Sequence, residues 1–166
     1  MQTFGKHSYH MENFKVLFEE GCDLYVGAFS SIGENVTIFL GGNHRYDWIT
    51  TYPFPFKWDC AKYIPNARPS NGDVVIGNDV WVGNNSTIMS GVTIGDGAVI
   101  ATRSVITKNV LPYAVMGGNP AKLIKMRFKD EDIAFLLKLK WWNWSEEKIK
   151  EKIDILMSPD ISKLRS

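Results

Sequence analysis

The sequence predicts a mainly β protein: a parallel β-helix interrupted by one long excursion loop and followed by C-terminal helices. Three observations carry that expectation. First, from Ile76 to Val110 an aliphatic residue recurs at every sixth position, giving the ladder Ile76, Val82, Ile88, Ile94, Ile100 and Ile106. Second, the same spacing holds upstream at Val26, Ile32 and Ile38, yet Ile38 and Ile76 are not a whole number of sixes apart. Third, after residue 128 the apolar spacing becomes helical.

The ladder excludes the simpler elements. A period near 3.6 marks an α-helix and a period of 2 an isolated strand. A period of six marks a coil of short strands joined by tight corners, stacked about 4.8 Å apart. Four places after each ladder residue stands a small or β-branched one: Val80, Ser86, Val92, Ala98, Ser104 and Val110. Gly77, Gly83 and Gly95 directly follow three ladder residues, and Gly27, Gly33, Ser30 and Val36 repeat the pattern upstream. A coil about six or seven turns tall is expected. His7 and His10 read as surface or terminal residues.

The excursion spans residues 39–73. It contains GGNHRYDWITTYPFPF and IPNARPSNGD, whose prolines, glycines and aromatics fit no period. Long irregular insertions in compact domains are usually functional. Further on, LPYAVMGGNPAKLI is punctuated by proline and glycine and is expected to leave the coil. Ile133, Leu136, Leu137 and Lys140 or Trp141 then have helical spacing. Ser145 is a plausible N-cap, with Glu146 and Glu147 in the first turn of a second helix. Ile149, Ile153 and Leu156 give that helix one apolar face, and Trp141, Trp142 and Trp144 are expected to pack it against the coil or a neighbouring subunit. The expected organisation is a β-helix at 1–128 and a helical extension at 129–166.

Bulk properties bound the function. The 166 residues suffice for one domain with a real core, and 45% hydrophobic with 22% charged residues is a globular balance. A net charge of +1 gives no general attraction to nucleic acid or an anionic membrane. The N-terminal stretch lacks the apolar region of a secretory signal, and no apolar run approaches membrane-spanning length. Cys22 and Cys60 are too sparse for a disulfide framework, so a cytoplasmic protein is expected, with Cys22 filling core space.

Three stretches resemble the hexapeptide-repeat acyltransferases: GGNHRYDWITTYPF at 41–54, GDVVIGNDVWVG at 72–83, and GVTIGDGAVIATRSVITKNVLPYAVMGGNPAKLIKMRF at 91–128. Within that family the chain is most similar to the xenobiotic (chloramphenicol- and streptogramin-type) acetyltransferase branch. The resemblance implies a left-handed coil, an exception to the usual right-handed crossover. It also implies a homotrimer with active sites between subunits, and acetyl-CoA as donor.

Acetyl transfer from a thioester to an alcohol requires the hydroxyl to lose its proton as it attacks, and a neutral histidine can accept it. His44, in the GGNH motif, matches the family's general base. Gly41 and Gly42 let the backbone turn sharply before it. Asp47 is a candidate to orient His44, to bind an acceptor hydroxyl or to cap the loop. Asn43, Tyr46, Trp48 and Tyr52 are the neighbouring candidates for acceptor binding, and some of the loop's aromatics must simply hold it down. Trp81 is expected to face outward, at the border of the site or in a subunit contact. Asn84, Thr102, Thr107 and Lys108 match CoA-contacting positions, and Lys122 and Lys125 match the basic residues near the CoA phosphates. No metal ligand set is expected among His7, His10 and His44.

The main functional expectation is O-acetylation of a sugar or similar hydroxylated small molecule. Antibiotic O-acetylation and amino-sugar N-acetylation are the alternatives. A γ-class carbonic-anhydrase-like metalloprotein and a non-catalytic scaffold are the remote ones.

Overall fold

The computed structural model describes residues 1–18 and 21–165. Its body is a three-sided prism of stacked coils. The first coil is β1 (Gln2–Phe4), β2 (Tyr9–His10) and β3 (Lys15–Leu17). The second is β4 (Leu24–Val26), β5 (Ser31–Ile32) and β6 (Thr37–Phe39). After the excursion come β7 (Val74–Ile76), β8 (Trp81–Val82) and β9 (Thr87–Ile88), then β10 (Thr93–Ile94), β11 (Val99–Ile100) and β12 (Val105–Ile106). A fifth turn begins as Val110 bridges Ile94 and β13 (Ala114–Gly118) pairs with β11. The chain then turns back into β14 (Ala121–Met126), antiparallel to β13.

The three faces are sheets in the orders β1-β4-β7-β10, β14-β13-β11-β8-β5-β2 and β12-β9-β6-β3. Ile94 lies beside Ile76, eighteen residues later, so three hexapeptides make one turn. The coil therefore has four full turns, fewer than the six or seven expected from the sequence. The start of the chain extends the ladder to residues that the sequence reading left outside it. Phe4, His10 and Val16 stand in register with Val26, Ile32 and Ile38, so the first coil keeps the six-residue ladder. His10 hides it: a polar ring occupies the middle rung, stacked 4.7 Å from Phe14. His7 and His10 are exposed, but neither is a loose end. His7 packs 4.8 Å from Phe29, and its Nε2 lies 3.3 Å from Glu146.

The core is the ladder itself. Ile32, Ile38, Ile76, Val82, Ile88, Ile94, Ile100 and Ile106 are all buried, together with the small residues at the corners. Burying each such side chain is worth roughly 1.5–3 kcal/mol. Ser30, Ser86 and Ser104 are also buried, and each donates its hydroxyl to a backbone carbonyl: Gly77 at 2.9 Å for Ser30, Ala101 at 3.1 Å for Ser86 and at 2.6 Å for Ser104. Those bonds remove the cost of a polar group inside the prism.

The prism has three vertical edges, each different. The first, between β4 and β5 and their counterparts, is covered by α1 (Asp130–Leu139) and α2 (Glu146–Leu156). Ile133 and Leu136 bury themselves with Tyr113, and Trp141 rests 4.8 Å from Phe29 of the coil. Ser145 caps α2 by accepting the Lys148 N–H at 3.3 Å. The second edge, between β5 and β6 and their counterparts, carries no helix among the described residues. A Cβ at its Gly33 would sit 2.2 Å from Asn84 Oδ1, so only glycine fits. The third edge carries the excursion, which leaves after β6 and returns at β7. No helix of the described residues is long and apolar enough to cross a membrane.

Candidate active site

The excursion begins where Gly42 turns with φ +78°, against the ring of Phe18. A Cβ there would lie 2.4 Å from Phe18 Cδ2, so conformation and space both demand glycine. Ser90, buried at the third edge, then ties both legs of the loop to the coil. It accepts the Asn43 carboxamide N–H at 3.2 Å and the Asn71 backbone N–H at 3.3 Å. Ser70 closes the base of the loop by donating to the Leu40 carbonyl and accepting the Gly72 N–H at 3.0 Å. Cys22 is half-buried against the core, as expected, and its thiol donates to Ser70 Oγ at 3.2 Å.

His44 follows directly and is exposed. Its Nδ1 lies 2.7 Å from the Thr51 carbonyl oxygen. A carbonyl only accepts, so Nδ1 carries the proton and Nε2 presents a lone pair. That is the tautomer a general base needs. Thr51, not Asp47, stands at the ring nitrogen. Asp47 instead meets Arg45, whose Nε donates to its carboxylate at 2.7 Å, with a second contact from the same guanidinium. The guanidinium hydrogen bond also holds Asp47 below the usual carboxylate range. Arg45 in turn lies over the ring of Trp48, 5.1 Å from its centroid. Tyr46 and Tyr52 are exposed, and Tyr52 contacts Phe54 edge-on at 4.8 Å.

The candidate donor-binding residues are divided between two parts of the prism. Asn84 and Thr102 occupy successive corners of the second edge. Asn84 Oδ1 accepts the Glu34 N–H at 3.1 Å, and Thr102 donates to the Asn84 carbonyl at 2.6 Å. Trp81 projects from the middle sheet, beside Ser31 and Val99, and is 57% exposed. Lys122 and Lys125 are exposed on β14, next to that same sheet. Thr107 and Lys108 are exposed on the third edge, below the excursion. His44 thus shares an edge with Thr107 and Lys108, while Trp81, Asn84, Thr102 and the lysine pair lie around the second edge. The cavity beneath the helical extension, about 370 Å³, contains none of these residues. Sequence reasoning missed Thr51, Ser90, Ser70 and Phe18. None of them lies on the six-residue ladder or carries an ionisable group.

The fold and the loop histidine define a class, and comparison with known proteins agrees with it. Residues 73–108 match the bacterial transferase hexapeptide (six repeats) family. The chain is 44% identical to a chloramphenicol acetyltransferase of Agrobacterium fabrum (strain C58 / ATCC 33970), over 96% of this chain and 84% of that protein. It is 53% identical to a probable macrolide acetyltransferase of Lysinibacillus sphaericus (83% and 79%) and 43% identical to a virginiamycin A acetyltransferase of Staphylococcus aureus (97% and 79%). Among solved structures, a maltose O-acetyltransferase of Clostridium difficile 630 superposes with a TM-score of 0.56 at 28% identity, covering 77% of this chain and 60% of that one.

The chain belongs to the hexapeptide-repeat transferase family, in its xenobiotic acetyltransferase branch, and its coil is the left-handed β-helix of that family. It is an acyltransferase that uses acetyl-CoA. Among the described residues, no group of three or more His, Cys, Asp or Glu side chains is placed to hold a metal ion.

Proposed function

We propose that the protein is an O-acetyltransferase of hydroxylated antibiotics of the chloramphenicol, streptogramin or macrolide kind, working by direct transfer with His44 as general base. One observation carries the mechanism: the Thr51 carbonyl at His44 Nδ1 leaves Nε2 free to accept a proton. As the acceptor oxygen attacks the thioester carbon, its proton passes to Nε2. The C–S bond then breaks, and the imidazolium returns that proton to the departing thiolate. The Thr51 carbonyl stabilises the imidazolium between those events. Acetyl-CoA supplies the activated acyl group, and Asn84, Thr102, Trp81, Thr107, Lys108 and the Lys122–Lys125 pair are its candidate contacts.

The acceptor is where this reading departs from the sugar expectation. The relatives named for antibiotics match the chain over most of their own length, at 43–53% identity. The maltose enzyme is a more distant likeness. Tyr46 and Tyr52 are exposed in the loop that carries His44 and offer flat apolar surface suited to an aromatic or macrocyclic body. The separation of the candidate residues onto two edges of one prism supports a homotrimer, in which the third edge of one subunit meets the second edge of its neighbour. Acetyl-CoA and the two free thiols fit a cytoplasmic setting.

The test is acetyl-CoA consumption with chloramphenicol, a group A streptogramin, a macrolide, and a panel of sugars and nucleotide sugars. Turnover of an antibiotic is expected. Turnover of sugars alone would overturn the acceptor reading and leave the mechanism standing. Light scattering should report three subunits, and an active monomer would overturn the shared site.

A further inference from the structure

We propose that Arg68 is a positioning residue for His44: by bridging the rings of Phe18 and Phe56, it holds in place the segment that presents the Thr51 carbonyl to the imidazole. The inference deepens the reading of His44 as general base, and only its kinetic arm rests on that reading. The Arg68 guanidinium lies over two rings, 5.0 Å from the centroid of Phe18 and 5.0 Å from that of Phe56. Both distances are within reach of a cation–π attraction. Arg68 is half-buried, and its Nε is buried with no hydrogen-bond partner among the described residues. An aliphatic chain of the same length would fill that space without leaving a polar group unpaired. The contacts that a guanidinium makes here and an aliphatic chain does not are those with the two rings.

The rings belong to different parts of the molecule. Phe18 directly follows β3 and stacks 6.0 Å from Phe39 of β6, so it is fixed to the coil. Phe56 is 51% exposed and ends a short 3-10 turn, Phe54–Phe56, in the excursion. Local bonds tie that turn to Thr51. Thr50 Oγ1 accepts the Tyr52 N–H at 3.1 Å, the Tyr52 carbonyl accepts the Phe54 N–H at 2.9 Å, and the Pro53 carbonyl accepts the Phe56 N–H at 3.0 Å. Tyr52 and Phe54 also meet edge-on. Residues 50–56 are therefore stitched into one unit. Thr51 joins the near side of this unit to His44 Nδ1, and Phe56 joins its far side to Arg68. The circuit closes on the coil, where Phe18 lies against Gly42, two residues before His44.

Anchoring the returning leg does not require the guanidinium. Ala67 is buried at 5% exposure, and Ser70 bonds both the Leu40 carbonyl and the Gly72 N–H. The charged end of Arg68 is left to act on the outer unit, and through it on the imidazole.

The experiment reads the His44 tautomer directly, in the full chain with nitrogen-15 in its histidines. His44→Ala identifies the His44 signals, and spectra are taken at about pH 9, above the ordinary imidazole range. The wild type should show the proton on Nδ1. Arg68→Met should lose that preference, because the Thr51 carbonyl is no longer held in place. It should also lower turnover about tenfold or more, since small displacements at a reacting group are costly, with the KM for acetyl-CoA unchanged. Phe56→Leu should move the tautomer and turnover in the same direction, and Phe56→Tyr, which keeps an aromatic face for the cation, should match the wild type. Phe56 is exposed, so this pair keeps the test valid if Arg68→Met does not fold. A wild-type tautomer in Arg68→Met, equal behaviour of Phe56→Leu and Phe56→Tyr, or a raised KM for acetyl-CoA with unchanged turnover would each overturn the proposal. A changed tautomer with full turnover would uphold the positioning by Arg68 and overturn His44 as the base.

Discussion

The coil and the excursion solve opposite problems with adjacent pieces of chain. Ile88 in the coil stacks in register with Ile38 on one side and Ile106 on the other and is fully buried. His44 in the excursion is exposed, and its position depends on a glycine, a buried serine and one carbonyl. Each ladder residue is held by the same contact repeated above and below. The candidate base is held by contacts that occur once. The difference teaches that rigidity in this fold is periodic whereas chemistry is not, and that the loop takes its order from the edge beneath it.

Mutations can break that contrast or sharpen it. The largest effect is expected from His44→Ala, which should lower turnover by roughly two to four orders of magnitude with the unfolding midpoint unchanged. Rates within tenfold of wild type would remove His44 from the mechanism. Next comes the coil: Ile88→Ala should cost about 2–5 kcal/mol in stability. Tyr46→Ala, which truncates a comparably large but exposed loop residue, should move stability by less than about 0.5 kcal/mol. Denaturant titration of the pair checks this, and equal losses would mean that the loop belongs to the core. Gly42→Ala lies between the regions. Its left-handed conformation costs an alanine about 1–2 kcal/mol, and the clash with Phe18 must also be relieved. Turnover should fall about tenfold or more, since small displacements of a base are costly. Full activity in this variant would show that the loop's entry does not position His44. The smallest effect is expected far from the loop. Neutralising Lys122 or Lys125 should raise the KM for acetyl-CoA about fivefold each, less at high salt, with little change for the acceptor. An unchanged acetyl-CoA dependence would leave them as surface charges.

The coil was legible because its signal repeats. Six aliphatic rungs in a row at 76–106 admit one architecture, and the excursion announced itself as the place where the count fails. The first coil escaped notice for the same reason. One histidine among three rungs, between Phe4 and Val16, is enough to break so short a series. The number of turns was overestimated because a hexapeptide is one side of the prism, not a circuit of it. In the loop, the GGNH motif pointed to the histidine but not to its partner. Asp47 has the chemistry to orient an imidazole, yet Arg45, two residues earlier, engages it instead. The group that meets His44 is a backbone carbonyl, which every residue possesses and no sequence pattern marks. Acceptor choice was illegible on similar grounds, because exposed aromatics suit sugars and drug scaffolds alike.

Phe18 gives the excursion a further property. The ring packs against Gly42 on the outgoing leg and lies under the Arg68 guanidinium, 5.0 Å away, on the returning one. Both feet of the loop therefore rest on one side chain from the first coil. With the feet pinned, the chain between residues 45 and 67 is a closed loop whose ends no longer have to find each other. Doubling the length of such a loop costs only about 0.6 kcal/mol in closure entropy. That span can lengthen or shorten while the coil keeps its register, provided that Phe18 stays where it is.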